Sequence, residues 1–390
     1  MLTSRRIIAA RMMYLTTATA AIIAADTTLN VEDTTGFGAT GTGVIRDSTN
    51  DLDIFTWTGK TSTTLTGVAG TGGNAVLAHN AGALICSEDI TTLLVAADSK
   101  ILPFDLKVSP DIKMNKRNPV MASLSKLASI PGSQLSAVSF RVEIKGAGAA
   151  YSASVSPAVA PFIRACGCAE TIVTTGGAET ATYKPTSTKS LIPALMIDVF
   201  EDGAVKRMYG ARGNVKFTGK AGEPIYAEFE FTGVWNGRVD GAMLTTTPES
   251  TVPPVFLSGN FSIASFAAVI QSFEIDMTNT IALKVDPNIV TGYREAIITD
   301  REQPAGKFDP EDTTVALQDW YGKWKAGTSG ALNIGNVGST QYNRFKITAP
   351  KVVYAKLADA DREKVAVVDA SFELAKNSDA GDDELVIEFS

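Results

Sequence analysis

Across residues 225–232, apolar Ile225, Ala227, Phe229 and Phe231 alternate with Tyr226, Glu228, Glu230 and Thr232. A period of two sends successive side chains to opposite faces, so the stretch predicts a strand with one buried and one wet face. The run before it alternates in the same way and ends in a Gly/Pro turn, so 209–235 predicts a hairpin. That texture recurs. "ARGNVKF" (211–217) parallels "APKVVYA" (349–355), and "IYAEFEF" (225–231) parallels "VDASFEL" (368–374), with Ala227/Ala370, Phe229/Phe372 and Glu230/Glu373 identical. Upstream, "SFRVEIKG" from Ser139 matches "SFEIDMTN" from Ser272, and "ALMI" from Ala194 matches "ALNI" from Ala331. Each copy holds a helix candidate that stops at Gly: "SPAVAPFIRACG", and "DTTVALQDWYGKWKAG" with Val315, Trp320 and Trp324 as its buried stripe. Matches in a conserved order predict an internal duplication.

Five segments follow from this pattern. Residues 1–98, rich in Thr, Gly and Ala, alternate in short runs ended by Gly, Asp or Asn and predict a small antiparallel β module. Residues 99–138 carry Pro103, Pro110, Pro119 and Pro131, which argue against one regular element and predict an extended arm or linker. Residues 139–244 hold the first repeat and 272–390 the second. Between them 245–271, with "TTTPESTVPPVF", has a linker's composition. The fold class expected is mainly β.

Composition narrows the function. Net charge is −7, which disfavours general affinity for nucleic acid or an anionic membrane. The stretch from Asp359 to the end has a surplus of seven acids, so the rest of the chain balances to zero. The N-terminal "MLTSRRIIAARMMYLTTATAAIIAAD" has a leader's Arg pair and small residues, yet Arg11 interrupts the apolar run. Met12 to Ala25 is also too short to span a bilayer. A helix or strand packed on a partner is expected there, with no membrane insertion.

Reactive chemistry is sparse. Three cysteines, Cys86, Cys166 and Cys168, make no disulfide framework, and the one-residue spacer in "ACGCAE" suits neither a redox motif nor a zinc site. His79, the sole histidine, is expected as a satisfied loop residue. "TGKT" (58–61) matches the end of a P-loop, but Ile54 stands where its first Gly belongs. The acidic tail lacks the ligand spacing of a calcium loop. No enzyme activity, metal or cofactor is expected.

The ordered combination of "YGARGNVKFTGKAGEPIYAEFEFTGVW", "SFEIDMTNTIALKVDPNIVTGYREAIITDREQPAGKFDPE" and "DDELVIEFS" resembles the tail tube (major tail) proteins of long-tailed bacteriophages over about 139–390. The first block, with "TTLNVEDTTGFG", "FTWTGKTSTTLTGV" and "AHNAGA", more loosely resembles a β module appended to phage structural proteins, and departs from it at "STNDLDIF". The resemblance implies two tube-like β-sandwich domains, each flanked by one helix. It also implies self-assembly into rings that stack as a hollow tube in the virion, assembled in the host cytoplasm. Two tube domains per chain imply a trimer with pseudo-sixfold symmetry. The implied partners are the chain itself, the terminator, distal tail and tape-measure proteins, and DNA in sequence-independent transit. Another ring-forming tail component, or a β-rich binding module outside viruses, is the alternative.

A tube must pass DNA without holding it, so its bore should lack a Lys/Arg stripe. The polar positions of the repeated strands supply the candidate lumen residues: Glu228, Glu230, Glu274, Asp276, Asp369 and Glu373. Lys107, Lys113, Lys116, Arg117 and Lys126 make the 99–138 segment basic and are the candidate contacts from ring to ring.

Overall fold

A computed structural model of the chain describes residues 5–123, 125–246 and 248–390; residues 1–4 of the leader-like start, Leu124 of the arm and Thr247 of the linker lie outside them. Strand β1 (Arg6–Met13) does not belong to the N-terminal module. It pairs along its whole length with β14 (Ala194–Glu201), so the expected packed element is a strand of the main body. The module proper has two small sheets. β2 (Leu15–Thr17), β4 (Gly41–Arg46), β5 (Asp53–Trp57), β8 (Ala69–Gly70) and β9 (Leu84–Cys86) form one; β3 (Thr28–Asn30), β6 (Gly59–Lys60) and β7 (Thr64–Thr66) form the other. Their alternating apolar positions, among them Leu29, Phe55, Trp57 and Leu65, close over a core of their own.

The remaining strands make one large antiparallel sheet with a detached hairpin. They are β10 (Phe104–Asn115), β11 (Ile130–Glu143), β12 (Cys168–Val173), β13 (Thr180–Pro185), β14, β15 (Ala204–Lys220), β16 (Tyr226–Asp240), β17 (Ser262–Ile263) and β18 (Ile270–Asp276). β19 (Asn279–Val285) and β20 (Tyr293–Arg301) are the hairpin; β21 (Ala305–Pro310), β22 (Gly330–Val337), β23 (Phe345–Arg362), β24 (Val365–Leu374) and β25 (Val386–Phe389) complete the sheet. Its spine runs β10-β11-β16-β15-β18-β21-β24-β23 and continues through β25 and β13 to β12, while β14 flanks β15 and β22 flanks β23.

The two predicted hairpins are β15–β16 and β23–β24. Ala227 lies opposite Phe217 in the first and Ala370 opposite Leu357 in the second. The "ALMI" and "ALNI" strands sit alike, with Leu195 opposite Ala211 and Leu332 opposite Ala349. The strand beside β24, however, is β21, with Gly306 opposite Phe372, as β11 puts Phe140 opposite Phe229. "SFEIDM" falls on β18 instead, between β15 and β21. Period-two alternation marks a strand with one buried face; it does not give that strand's place in the sheet.

One buried cluster holds Phe140, Phe162, Phe229 and Phe231 from the first half together with Phe308, Phe345 and Phe372 from the second. Phe217 meets Phe345 across the halves at 6.1 Å between ring centres. The 245–271 segment packs on this core too, with Phe256 against Phe273 and Phe261 against Phe308.

Two local expectations fail. The helices are shorter than predicted: α1 is Ala160–Ala165 and α2 is Trp320–Lys325. Trp320 is buried, but Val315 lies before α2 and is 73% exposed, so the three-residue stripe does not exist. Within 99–138 the chain forms β10, the sheet's edge strand, where a proline interrupts no ladder on its free side and Pro110 sits opposite Ser136; the described residues of 116–129 form no strand or helix before β11 begins.

A polar sheet face, its edges and an exposed arm

Opposed residues on neighbouring strands share a face of the sheet. Register therefore traces rows across the spine. One row runs Lys107, Ser139, Glu230, Asn214; the next runs Arg141, Glu228, Lys216, Asp276, Ala305, Glu373. A third contains Glu274 and Lys307, and Asp369 lies opposite Ala358 with the same orientation. All six candidate acids thus stand on one face, while Phe217, Phe229, Phe273 and Phe372 point into the core behind it. The alternation that the sequence shows creates both faces at once.

This face is not acidic throughout. Lys216 lies 3.6 Å from both Glu228 and Glu274, Lys307 is 3.1 Å from Glu274, and Arg141 is 2.9 Å from Asp105. Exposed pairs of this kind contribute at most about 1 kcal/mol each, so they balance charge more than they hold the fold. Basic and acidic side chains interleave on it because neighbouring strands set a Lys against an acid in register, Lys216 opposite Glu228 on β15 and β16 and Lys307 opposite Glu274 on β21 and β18. Counting outward from the 221–225 turn would have shown Lys216 opposite Glu228. Asp276 is not free either, since it accepts from Asn214 Nδ2 at 2.6 Å and from the Thr278 N–H at 2.8 Å. Glu230, Asp369 and Glu373 are exposed.

The face bears two hollows. One of about 710 Å³ includes Thr218, Glu274, Lys307, Lys356 and Asp369 in its lining; the other, about 440 Å³, includes Lys107, Lys216, Glu228 and Glu230. Lys107 therefore belongs with the acids on the wall. Lys113, Lys116, Arg117 and Lys126 lie on the exposed arm, with apolar Ile112, Met114, Val120 and Ile130 exposed beside them.

Burial pushes the Cys86 and Cys168 thiols up to about 12 and Cys166 well above its ordinary value. His79 is buried, its Nε2 3.2 Å from Asp53 and its Nδ1 3.3 Å from Asp47, inside the module. Among the described residues no group of three His, Cys, Asp or Glu side chains could hold a metal, and no helix is long and apolar enough to cross a membrane.

A family model for phage tail tube proteins matches residues 59–383. The chain belongs to the phage tail tube protein family. No curated protein matches it. As a tail tube protein it is a structural component of the virion tail that assembles with itself and with other tail proteins. The match begins inside the N-terminal module and takes in the arm, both hairpins and the acidic stretch as far as Asp383. Sequence reasoning points to the six acids but misses Arg141, Lys216, Lys307 and Lys356 beside them, because no one strand shows what its neighbours place alongside.

Proposed function

We propose that this tail tube protein forms trimeric rings with pseudo-sixfold symmetry, and that these stack into the hollow tube through which the phage genome is delivered. The chain supplies two copies of the tube unit, centred on β15–β16 and β23–β24. The observation that carries the reading is the unbroken spine from β10 to β23, apolar behind and polar in front, across both halves. Such a wall needs a neighbour at each end. Its front faces the bore, where interleaved Lys and acids present DNA with no net-positive track to bind. The arm reaches from copy to copy, with Lys113, Lys116, Arg117 and Lys126 against the acidic surfaces of adjoining subunits. The N-terminal module sits outside the bore. Negative-stain electron microscopy of the purified chain, with mass photometry on the same sample, tests this. Stacked rings with mass steps of three chains are expected; a monomer at every concentration and salt would overturn the reading.

A further inference from the structure

The seam between the two halves is a template for a second seam that one chain lacks the strands to make. β15 has β16 along one side; on its other side β14 takes Leu195–Glu201 opposite Ala204–Ala211, and β18 takes Lys216–Lys220. β23 is arranged alike. It has β24 on one side, and on the other β22 pairs from Phe345 to Val352. Among the described residues no strand fills the place beside 356–360 that β18 fills beside β15. The complementary vacancy is at the far end of the spine. β18 lies between β15 and β21, whereas β10 has β11 on one side and, among the described residues, no strand on the other.

The correspondence extends to single residues. Lys216 is opposite Glu228, one place before Phe229; Lys356 is opposite Ser371, one place before Phe372. Asp276 is opposite Ala305, and Lys107 is opposite Ser139. Ser139 and Ala305 in turn face Glu230 and Glu373, which are equivalent in the two hairpins.

The chain leaving each strand behaves in a matching way. β18 runs into the β19–β20 hairpin, which packs across the back of β15 and β16. There Glu295 accepts from Arg212 Nη1 at 2.6 Å, and Ile289 is buried among residues of the first half and the module. β10 runs into the arm, whose described residues from Asp111 to Pro131 are all exposed, with Met114 at 54% and Val120 at 104%. Beside the vacant edge of β23, α2 offers half-exposed aromatic rings. Tyr321 donates to Asp359, and Trp324 Nε1 donates to the Ala355 carbonyl at 3.2 Å. The β23 end carries Asp359, Asp361 and Glu363 interspersed with Lys356, Arg362 and Lys364, so it balances in charge and offers acids to the basic arm without a net repulsion.

We infer that the β10 edge and arm of one copy dock on the β23 edge and α2 flank of a second copy, in the register of the β15–β18 seam. Lys107 then lies opposite Lys356 of the second copy, and Leu106 opposite Leu357. Strand addition satisfies the free backbone groups of both edges, and the arm covers Tyr321 and Trp324 as β19–β20 covers the first half. Because the two mated surfaces differ, the contact is head-to-tail and repeats until the ring closes. This inference rests on the ring-forming function proposed above.

The test is a disulfide. In the variant Lys107→Cys/Lys356→Cys both new thiols are exposed, whereas the three native cysteines are buried. Directly opposed β carbons approach the spacing a disulfide needs, while positions two residues off lie about 7–8 Å apart. Mild oxidation of the assembled double variant should give a reducible ladder of covalent oligomers on a non-reducing gel. Each single variant should stop at dimer or below, and Lys107→Cys/Ala358→Cys should cross-link at least ten times less. Rings that form without this ladder, or with an equal one in the offset variant, overturn the seam and leave the ring reading standing. A wild-type chain that never assembles overturns both. Hydrogen exchange on the wild type covers the case of a misfolded variant: backbone amides of 104–108 and 356–360 should slow at least tenfold on assembly, and unchanged rates would overturn the seam.

Discussion

Arg207 donates from Nε to Asp198 at 3.1 Å in a site where Asp198 is wholly buried. Its other nitrogens hold the carbonyls of Thr91 and Thr92, and Asp198 also accepts from the Leu94 N–H at 2.9 Å. Two neighbouring strands of the tube body thus grip the segment that leads out of the N-terminal module. Burial pushes the Asp198 carboxyl up, and the Arg207 charge opposes that shift.

Removing one member of this pair should cost more than removing both. Asp198→Ala leaves a buried guanidinium without its carboxylate and should destabilise the chain by about 3–5 kcal/mol. Asp198→Leu/Arg207→Met should recover most of that loss. Denaturant unfolding of the three proteins checks the order; a double variant no better than the single would show that the carbonyl contacts dominate.

Acid should loosen the module before the wall. Asp47 is held below its ordinary 3.8: burial raises it, but the N–H groups of Asn50, Asn80 and Thr49 and the His79 ring outweigh that. A lowered carboxylate contributes stability above the unfolded value of 3.8 and loses it as pH falls through the folded one. Hydrogen exchange in 44–57 should therefore accelerate below pH 3.8 in the wild type. Asp47→Asn should show fast exchange already at neutral pH and a flatter acid response.

Neighbouring positions on β16 should differ sharply. Phe229 stacks with Phe231 at 5.8 Å and meets Phe140 and Phe162 at 5.4 and 5.6 Å, so Phe229→Ala should cost about 3–5 kcal/mol. Glu230→Ala, one residue on, should stay within about 0.5 kcal/mol. Thermal unfolding of both variants gives the comparison.

Reversing charge on the wall should affect DNA and spare the fold. Glu230→Lys/Glu373→Lys changes two exposed residues on one face. The variant should unfold at the wild-type temperature yet bind short duplex DNA, with affinity falling steeply as salt rises. Fluorescence anisotropy at two salt concentrations reads this. No gain in binding would mean that this face does not meet DNA.

The wall is legible in the sequence because one chemical contrast repeats along it: Phe229 and Glu230 cannot share a side of a strand, and Phe372 and Glu373 show the same contrast. Strand β10 is not, because prolines weigh against a strand in sequence, while an edge strand leaves one side unpaired and tolerates Pro110. Val315 fits a helical spacing that begins before the helix does. The mixed charge of the face depends on register. Lys307 and Glu274 belong to strands joined by the β19–β20 excursion, and only the folded sheet sets them 3.1 Å apart.

The β15–β18 seam has a kinetic meaning as well. Its two strands belong to one molecule, joined through the hairpin turn, β16 and the 241–269 connection. Each therefore meets the other at an effective concentration set by tether length, whatever the protein's abundance in solution. Dilution cannot part them. Any contact between separate chains is by contrast governed by mass action, so the concentration at which this protein stops assembling measures the strength of its open edges alone.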